Sequence, residues 1–141
     1  MFDCAIIGGG PAGVSAAINL KLLDKSFIWF GTTSKKLSRA ELIKNYVGFP
    51  SVKGEELAKA FSEHTKSLGI ESVDELVTDV YRTDGYFTLL AKDKSYEAKT
   101  VILCSGVQTA KPLDGEEEFL GRGVSYCATC DGFLYKGKKI A

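Results

Sequence analysis

No apolar run in this sequence approaches the roughly 18 residues needed to cross a bilayer, which argues against a membrane partner or a spanning helix. Charge of one sign is also missing. The 18 basic and 18 acidic side chains cancel, so neither a disordered acidic tail nor a basic nucleic-acid binder fits, and no nucleic acid is expected as a partner. Histidine occurs once, as His64 between Glu63 and Thr65, and reads as a surface residue on an amphipathic helix. Four cysteines are too few and too scattered for a secreted disulfide framework. Cys4 and Cys104 lie inside apolar runs and read as small buried hydrophobes, which leaves Cys127 and Cys130 as the one close pair. The opening Met-Phe-Asp-Cys-Ala-Ile-Ile has no basic segment ahead of its apolar residues, and a cytoplasmic protein is expected. Internal repeats and low-complexity tracts are absent as well.

What remains is the composition of a folded domain. Hydrophobic residues make up 45% of the 141, enough to bury about two thirds of the unfolded surface. Residues 3–7 predict a buried strand, the glycine-rich turn 8–13 follows at once, and Val14–Leu23 predicts a helix with Ala16, Ala17, Leu20 and Leu23 on its apolar face. Phe27–Phe30 predicts a second strand, which completes a βαβ unit. Residues 31–50 read as a long irregular connection of the kind that carries function. A helix is expected over Gly54–Leu68, with Leu57, Phe61 and Leu68 on one side and Gly69 as its stop. The pattern then becomes extended. Strands at 77–82, 86–91 and 95–98, joined by Asp84-Gly85 and Lys92-Asp93-Lys94, predict an antiparallel meander, and Thr100–Cys104 predicts one more buried strand ending in Ser105-Gly106. Lys111 to Gly123 reads as a polar, acidic linker with one helical turn at Glu116–Leu120, and Lys136 to Ala141 reads as the beginning of a further strand.

Gly8-x-Gly10-x-x-Gly13 sits between a strand and a helix, the context that gives this pattern its meaning. Gly8 allows the tight turn, Gly10 lets the backbone approach a pyrophosphate, and Gly13 lets helix and strand pack closely. The freed N–H groups and the helix dipole then face the anion, so a dinucleotide is favoured over a ligand-free turn. One part of the fingerprint is missing. Where an acidic residue would hold the ribose hydroxyls, the chain has Gly31-Thr32-Thr33, so hydroxyl or backbone groups must serve, and an ordinary NAD dehydrogenase fits poorly. The segment Asn45-Tyr46-Val47-Gly48-Phe49-Pro50 reads equally as a simple turn or as part of a site.

In Cys127-Ala128-Thr129-Cys130 the spacing lets the two sulfurs meet if the segment turns into a helix, whose N-terminus would stabilise a thiolate. Asp131 is the nearby proton carrier. The rival reading is half of a zinc site, for which Cys4, Cys104 and His64 are the remaining candidates, at a strand start, a strand end and mid-helix. No metal is assigned.

Together, the Gly-Gly-Gly-Pro-Ala-Gly turn, the Asn-Tyr-x-Gly-Phe-Pro loop, Thr-Val-Ile-Leu-Cys-Ser-Gly and Gly-Arg-Gly-Val-Ser-Tyr-Cys-Ala-Thr-Cys-Asp-Gly resemble the bacterial-type, low molecular weight thioredoxin reductases over the whole chain. The resemblance implies an α/β, Rossmann-like FAD-binding fold of three layers (ββα) with an antiparallel β-meander, running into the start of a second nucleotide-binding domain. Residues 1–110 would be the first FAD segment, 111–123 a linker, and 124–141 the start of an NADPH/redox domain whose NADPH site lies outside this sequence. By this reading the 141 residues are a fragment or a natural short form of the enzyme and would not catalyse NADPH-dependent reduction alone; the alternative is an incomplete FAD-binding module without turnover. Gly8, Gly10, Pro11, Ala12 and Gly13 would hold the FAD pyrophosphate, and Gly31, Thr32 and Leu37 the adenosine side. Asn45 would face the flavin region, Val77 the adenine, and Ser105-Gly106 would approach FAD closely. A Gly-Gln pair common in the family is replaced here by Lys35-Lys36-Leu37. The implied electron path runs from NADPH through FAD to the Cys127–Cys130 disulfide and on to a thioredoxin-like protein, with relatives that use reduced ferredoxin as the alternative donor. Cys130 would face the flavin, Cys127 would attack the protein disulfide, and Asp131 would protonate the leaving thiolate. A homodimer is implied.

Overall fold

The computed structural model describes residues 1–31, 35–107, 112–125 and 132–140. They fall into two compact units, Met1–Gly106 and Val107–Ala141.

The first unit is built on a five-stranded mixed sheet. Strands β1 (Phe2–Ile7), β2 (Phe27–Phe30), β3 (Val77–Thr83), β4 (Tyr86–Ala91) and β5 (Lys94–Leu103) lie in the order β2-β1-β5-β4-β3. β2, β1 and the second half of β5 are parallel, while β3, β4 and the first half of β5 form the expected antiparallel meander. The period-2 alternation of apolar side chains sends successive residues to opposite faces of the parallel strands. Cys4, Ile6 and Trp29 enter a core under the helices; Ala5, Ile28 and Phe30 enter a second core with Leu89, Ala91 and Ala98 of the meander. Helices, parallel strands and meander therefore make three layers. Phe30, Ile6, Leu57 and Leu89 are fully buried, each contributing about 1.5–3 kcal/mol of transfer free energy.

β5 departs from the expectation of two strands at 95–98 and 100–104. Lys99 does not interrupt it, because its ammonium reaches out to the Asp3 carboxylate (2.7 Å) while the Thr100 hydroxyl donates to the Asp3 carbonyl (2.8 Å). The strand changes partner instead of ending: Ala98 pairs with Phe87 on one side and with Phe2 on the other.

Helix α1 (Pro11–Leu22) starts three residues earlier than the apolar pattern predicts, with Gly10 as N-cap and Pro11 in the first turn, where a missing N–H costs nothing. Its buried face is Gly13, Val14 and Ala17. Leu23, expected on that face, is the C-cap and is 66% exposed, since Asp24 (φ 52°) turns the chain away. The stretch 31–50 is less irregular than expected. It holds the short helix α2 (Lys35–Ser38), and Ile43 and Val52 pair across it through two backbone hydrogen bonds (2.8 and 3.0 Å). Helix α3 (Gly54–Ser67) matches expectation: Glu56 accepts from the Lys53 N–H (3.3 Å), Glu55 and Glu56 face the positive end of the dipole, and Gly69 (φ +64°) closes the last turn. His64 is exposed.

In the second unit, α4 (Glu116–Phe119) is the single helical turn predicted near Glu116, and a 3-10 turn spans Gly132–Tyr135. Residues 136–140 form no strand. The Lys138 N–H donates to Tyr135 O (2.9 Å) and Gly137 takes φ +80°, which turns the chain where an extended start was expected. Among the described residues no helix is long and apolar enough to cross a membrane.

Candidate functional site

Because β2, β1 and β5 run parallel, their C-terminal ends at Phe30, Ile7 and Leu103 reach one edge of the sheet. Ligands of open α/β sheets bind at such an edge. Each strand there continues into a segment containing glycine. The Gly8 N–H donates to Phe30 O (2.7 Å), and the Cys104 N–H donates to Ile7 O (2.7 Å), which brings the three chain segments together.

Two kinds of glycine follow. Gly8 (φ +126°) lies against the Cys104 carbonyl, Gly13 against the Gly8 carbonyl, and a Cβ on Gly31 would lie 2.5 Å from the Gly9 nitrogen. No side chain fits at these three positions. Gly10 is different: its backbone is extended (φ −80°, ψ −177°), and a Cβ there would meet nothing within 4 Å among the described residues. Its lack of a side chain answers no packing demand of the protein, but leaves the mouth of the turn open.

No side chain caps α1 and no acidic residue occupies its first turn. The N–H groups of Gly9, Gly10, Ala12 and Gly13 have no hydrogen-bond partner among the described residues. Free amides at the positive end of a helix, in a cradle that glycine alone permits, suit an anionic phosphate, so the residues fit a dinucleotide pyrophosphate. Beside the turn a cleft of about 380 Å³ is lined by Gly9, Trp29, Gly31, Leu37, Phe61 and Thr65, among others. Trp29 also reaches the turn directly, its indole N–H donating to the Gly8 carbonyl (2.9 Å).

Thus Gly8, Gly10, Pro11, Ala12 and Gly13 form one turn, Gly31 abuts it, and Leu37 shares the cleft with Gly9 and Gly31. Ser105 and Gly106 (φ +70°) follow Cys104 at the same edge and are exposed. Asn45 and Val77 are not among the residues lining the cleft. Asn45 is exposed beside a tight turn closed by the Phe49 N–H on Tyr46 O (3.0 Å), and the Tyr46 ring packs on Phe61 at 5.6 Å between centroids. Val77 opens β3 and packs against the second core. Thr32, Cys127, Cys130 and Asp131 lie outside the described residues. Cys4 is buried and Cys104 half-buried; burial, and then the proximity of Cys4, push the Cys104 thiol above its ordinary pKa, which keeps it protonated and a poor nucleophile. Trp29, Phe61 and Thr65 were missed as site residues. Alternation puts Trp29 on the helix side of β2, but its reach to Gly8, 21 residues away, is a tertiary fact.

A family model described as pyridine nucleotide-disulphide oxidoreductase matches residues 2–141. The chain belongs to that family. It is 37% identical to a thioredoxin reductase of Bacillus subtilis over 99% of this chain and 45% of the relative, and 37% identical to one of Helicobacter pylori over 100% and 47%. It spans about half the length of these curated relatives. Among solved structures, a ferredoxin-flavin thioredoxin reductase from Clostridium acetobutylicum shares 48% identity with a TM-score of 0.75, over 95% of this chain and 48% of that one. The thioredoxin reductase of Streptococcus pyogenes shares 36% with a TM-score of 0.78, over 96% and 45%. The α/β, Rossmann-type fold expected from the sequence is therefore the one these reductases share, and the family resemblance is correct.

Proposed function

We propose that the chain belongs to a flavin-dependent disulfide reductase of the thioredoxin reductase type and contributes its FAD turn and its redox-active cysteines. The observation that carries this reading is the turn at residues 8–13, with open space above Gly10 and four unpartnered amides, in a chain that also carries Cys127-Ala128-Thr129-Cys130. The amides of Gly9, Gly10, Ala12 and Gly13 bind the pyrophosphate of FAD, and Gly31 and Leu37 border its adenosine side, with Thr32 beside them. Asn45, Val77, Ser105 and Gly106 complete the FAD contacts as the resemblance has them. When bound, FAD supplies a two-electron carrier between the donor and the cysteine pair.

The chemistry of the chain's own residues is thiol–disulfide exchange. With the pair reduced, the Cys127 thiolate attacks a disulfide of a thioredoxin-like protein and one partner thiolate leaves, protonated by Asp131. Cys130 then attacks the mixed disulfide, so Cys127–Cys130 becomes the disulfide and the partner leaves as a dithiol. In this reading residues 1–110 are the first FAD segment, 111–123 a linker and 124–141 the entry to an NADPH/redox domain of a cytoplasmic homodimer.

The donor has two readings. NADPH is the one the general family pattern supports. Reduced ferredoxin is favoured by identity, 48% to the ferredoxin-flavin enzyme against 37% and 36% to the thioredoxin reductases. Anaerobic mixing of the intact flavoprotein with each donor tests both. Bleaching of flavin absorbance by NADPH alone supports the first, bleaching by reduced ferredoxin alone the second, and thioredoxin left oxidised in both cases contradicts the function.

A further inference from the structure

We propose that Trp29 is a positioning residue for the nucleotide turn, acting through the carbonyl of Gly8; this rests on the reading of the turn as the FAD pyrophosphate site. The indole nitrogen can only donate, and Gly8 O is its acceptor at 2.9 Å. Three groups meet at that point: the Gly8 carbonyl, the α-carbon of Gly13, and the indole nitrogen, which would lie 3.2 Å from a Cβ on Gly13. Helix α1 thus closes one side of the carbonyl and Trp29 holds it there.

The consequence reaches the ligand side through peptide geometry. In a planar trans peptide the C=O and the following N–H point in opposite directions, so anchoring Gly8 O on the indole aims the Gly9 N–H away from it. That N–H is one of the four amides without a partner among the described residues. Gly8 and Gly9 have no side chains to fix the peptide themselves, and glycine backbones visit many orientations. The side chain of Trp29 supplies the missing constraint. It is 7% exposed and also lines the cleft beside Gly9 and Gly31, so it cannot swing away without emptying packed core.

The test replaces Trp29 in the intact protein by 3-benzothienylalanine, which keeps the bicyclic ring and substitutes sulfur for the N–H, and in a second variant by Trp29→Phe. The dissociation constant of FAD is measured well below the melting temperature, together with the amide resonances of glycine-labelled protein. Both variants should unfold cooperatively, bind FAD about tenfold more weakly, and show a displaced Gly9 amide signal. FAD affinity equal to the parent's overturns the inference, as does loss of cooperative unfolding in both variants, which would make the bond a requirement of the fold alone. A parent protein that binds no FAD would instead overturn the functional reading, and this inference with it.

Discussion

Within Met1–Gly106 the glycine turn is surrounded by packed backbone, whereas in Val107–Ala141 neither α4 nor the 3-10 turn buries a single residue, and Phe133 and Leu134 are 73% and 58% exposed. Under the proposed function the two regions carry chemistry by different means. The turn would act with backbone amides, so that function depends on where the chain is held, and the holding is done by Gly8, Gly13, Gly31 and Trp29. In the proposed function the Cys127-x-x-Cys130 segment would act with side-chain thiols, whose identity is fixed by sequence. A backbone site is therefore sensitive to packing substitutions at residues that never touch a ligand. A thiol site is sensitive first of all to the thiols themselves.

The largest effect expected from this contrast is at Gly13. Gly13→Ala drives a methyl group into the Gly8 carbonyl and should cost about 3 kcal/mol of stability, seen as a lowered midpoint in urea unfolding. An unchanged midpoint would mean that helix and turn are not in contact. Cys127→Ser and Cys130→Ser should leave the fold intact and each abolish thioredoxin reduction. The variant that keeps Cys127 should accumulate a mixed disulfide with the partner, visible on a non-reducing gel, and trapping only by the variant that keeps Cys130 would reverse the two roles.

Gly10→Val sharpens the comparison inside the turn, because its side chain enters open space. The stability of the cofactor-free protein should change by no more than about 1 kcal/mol while flavin retention is lost. The smallest effect is at Asp3, at the opposite ends of the strands from the turn. Lys99 Nζ (2.7 Å), with the Ser26 hydroxyl (2.7 Å) and N–H (3.1 Å), holds its carboxyl well below the usual carboxylate range. A depressed folded-state pKa contributes stability that is present above the unfolded-state value and lost as pH falls through the folded one. Asp3→Asn should thus lower the melting temperature slightly and evenly between about pH 5 and 8, with the difference from the parent narrowing only in stronger acid. A difference that narrows near neutrality would show that the Lys99 contact does not hold the charge.

The sequence made β2, β4 and the strand-turn-helix at Gly8–Gly13 legible because each is written in short-range signals, apolar alternation and glycine spacing, although the start of α1 at Pro11 was placed three residues late. Lys99 looked like a break because local polarity says nothing about Asp3 waiting 96 residues away. Leu23 was misplaced since helical periodicity cannot see where Asp24 bends the chain. The order in 31–50 depends on Ile43 meeting Val52, and the role of Trp29 on a bond to Gly8; both are products of packing. At the site itself, the division into packed Gly8 and Gly13 and open Gly10 was readable from their spacing, and the close approach of Gly31 to Gly9 was not.

The central claim is that the open glycine position holds a dinucleotide, and the most direct measurement compares the cofactor released from the intact parent protein with that from its Gly10→Val variant, identified by mass and counted per chain. FAD is expected at about one per chain in the parent and none in the variant, with the unfolding curves of the two cofactor-free proteins within about 1 kcal/mol of each other. FMN alone in the parent, or equal FAD in both proteins, would contradict it.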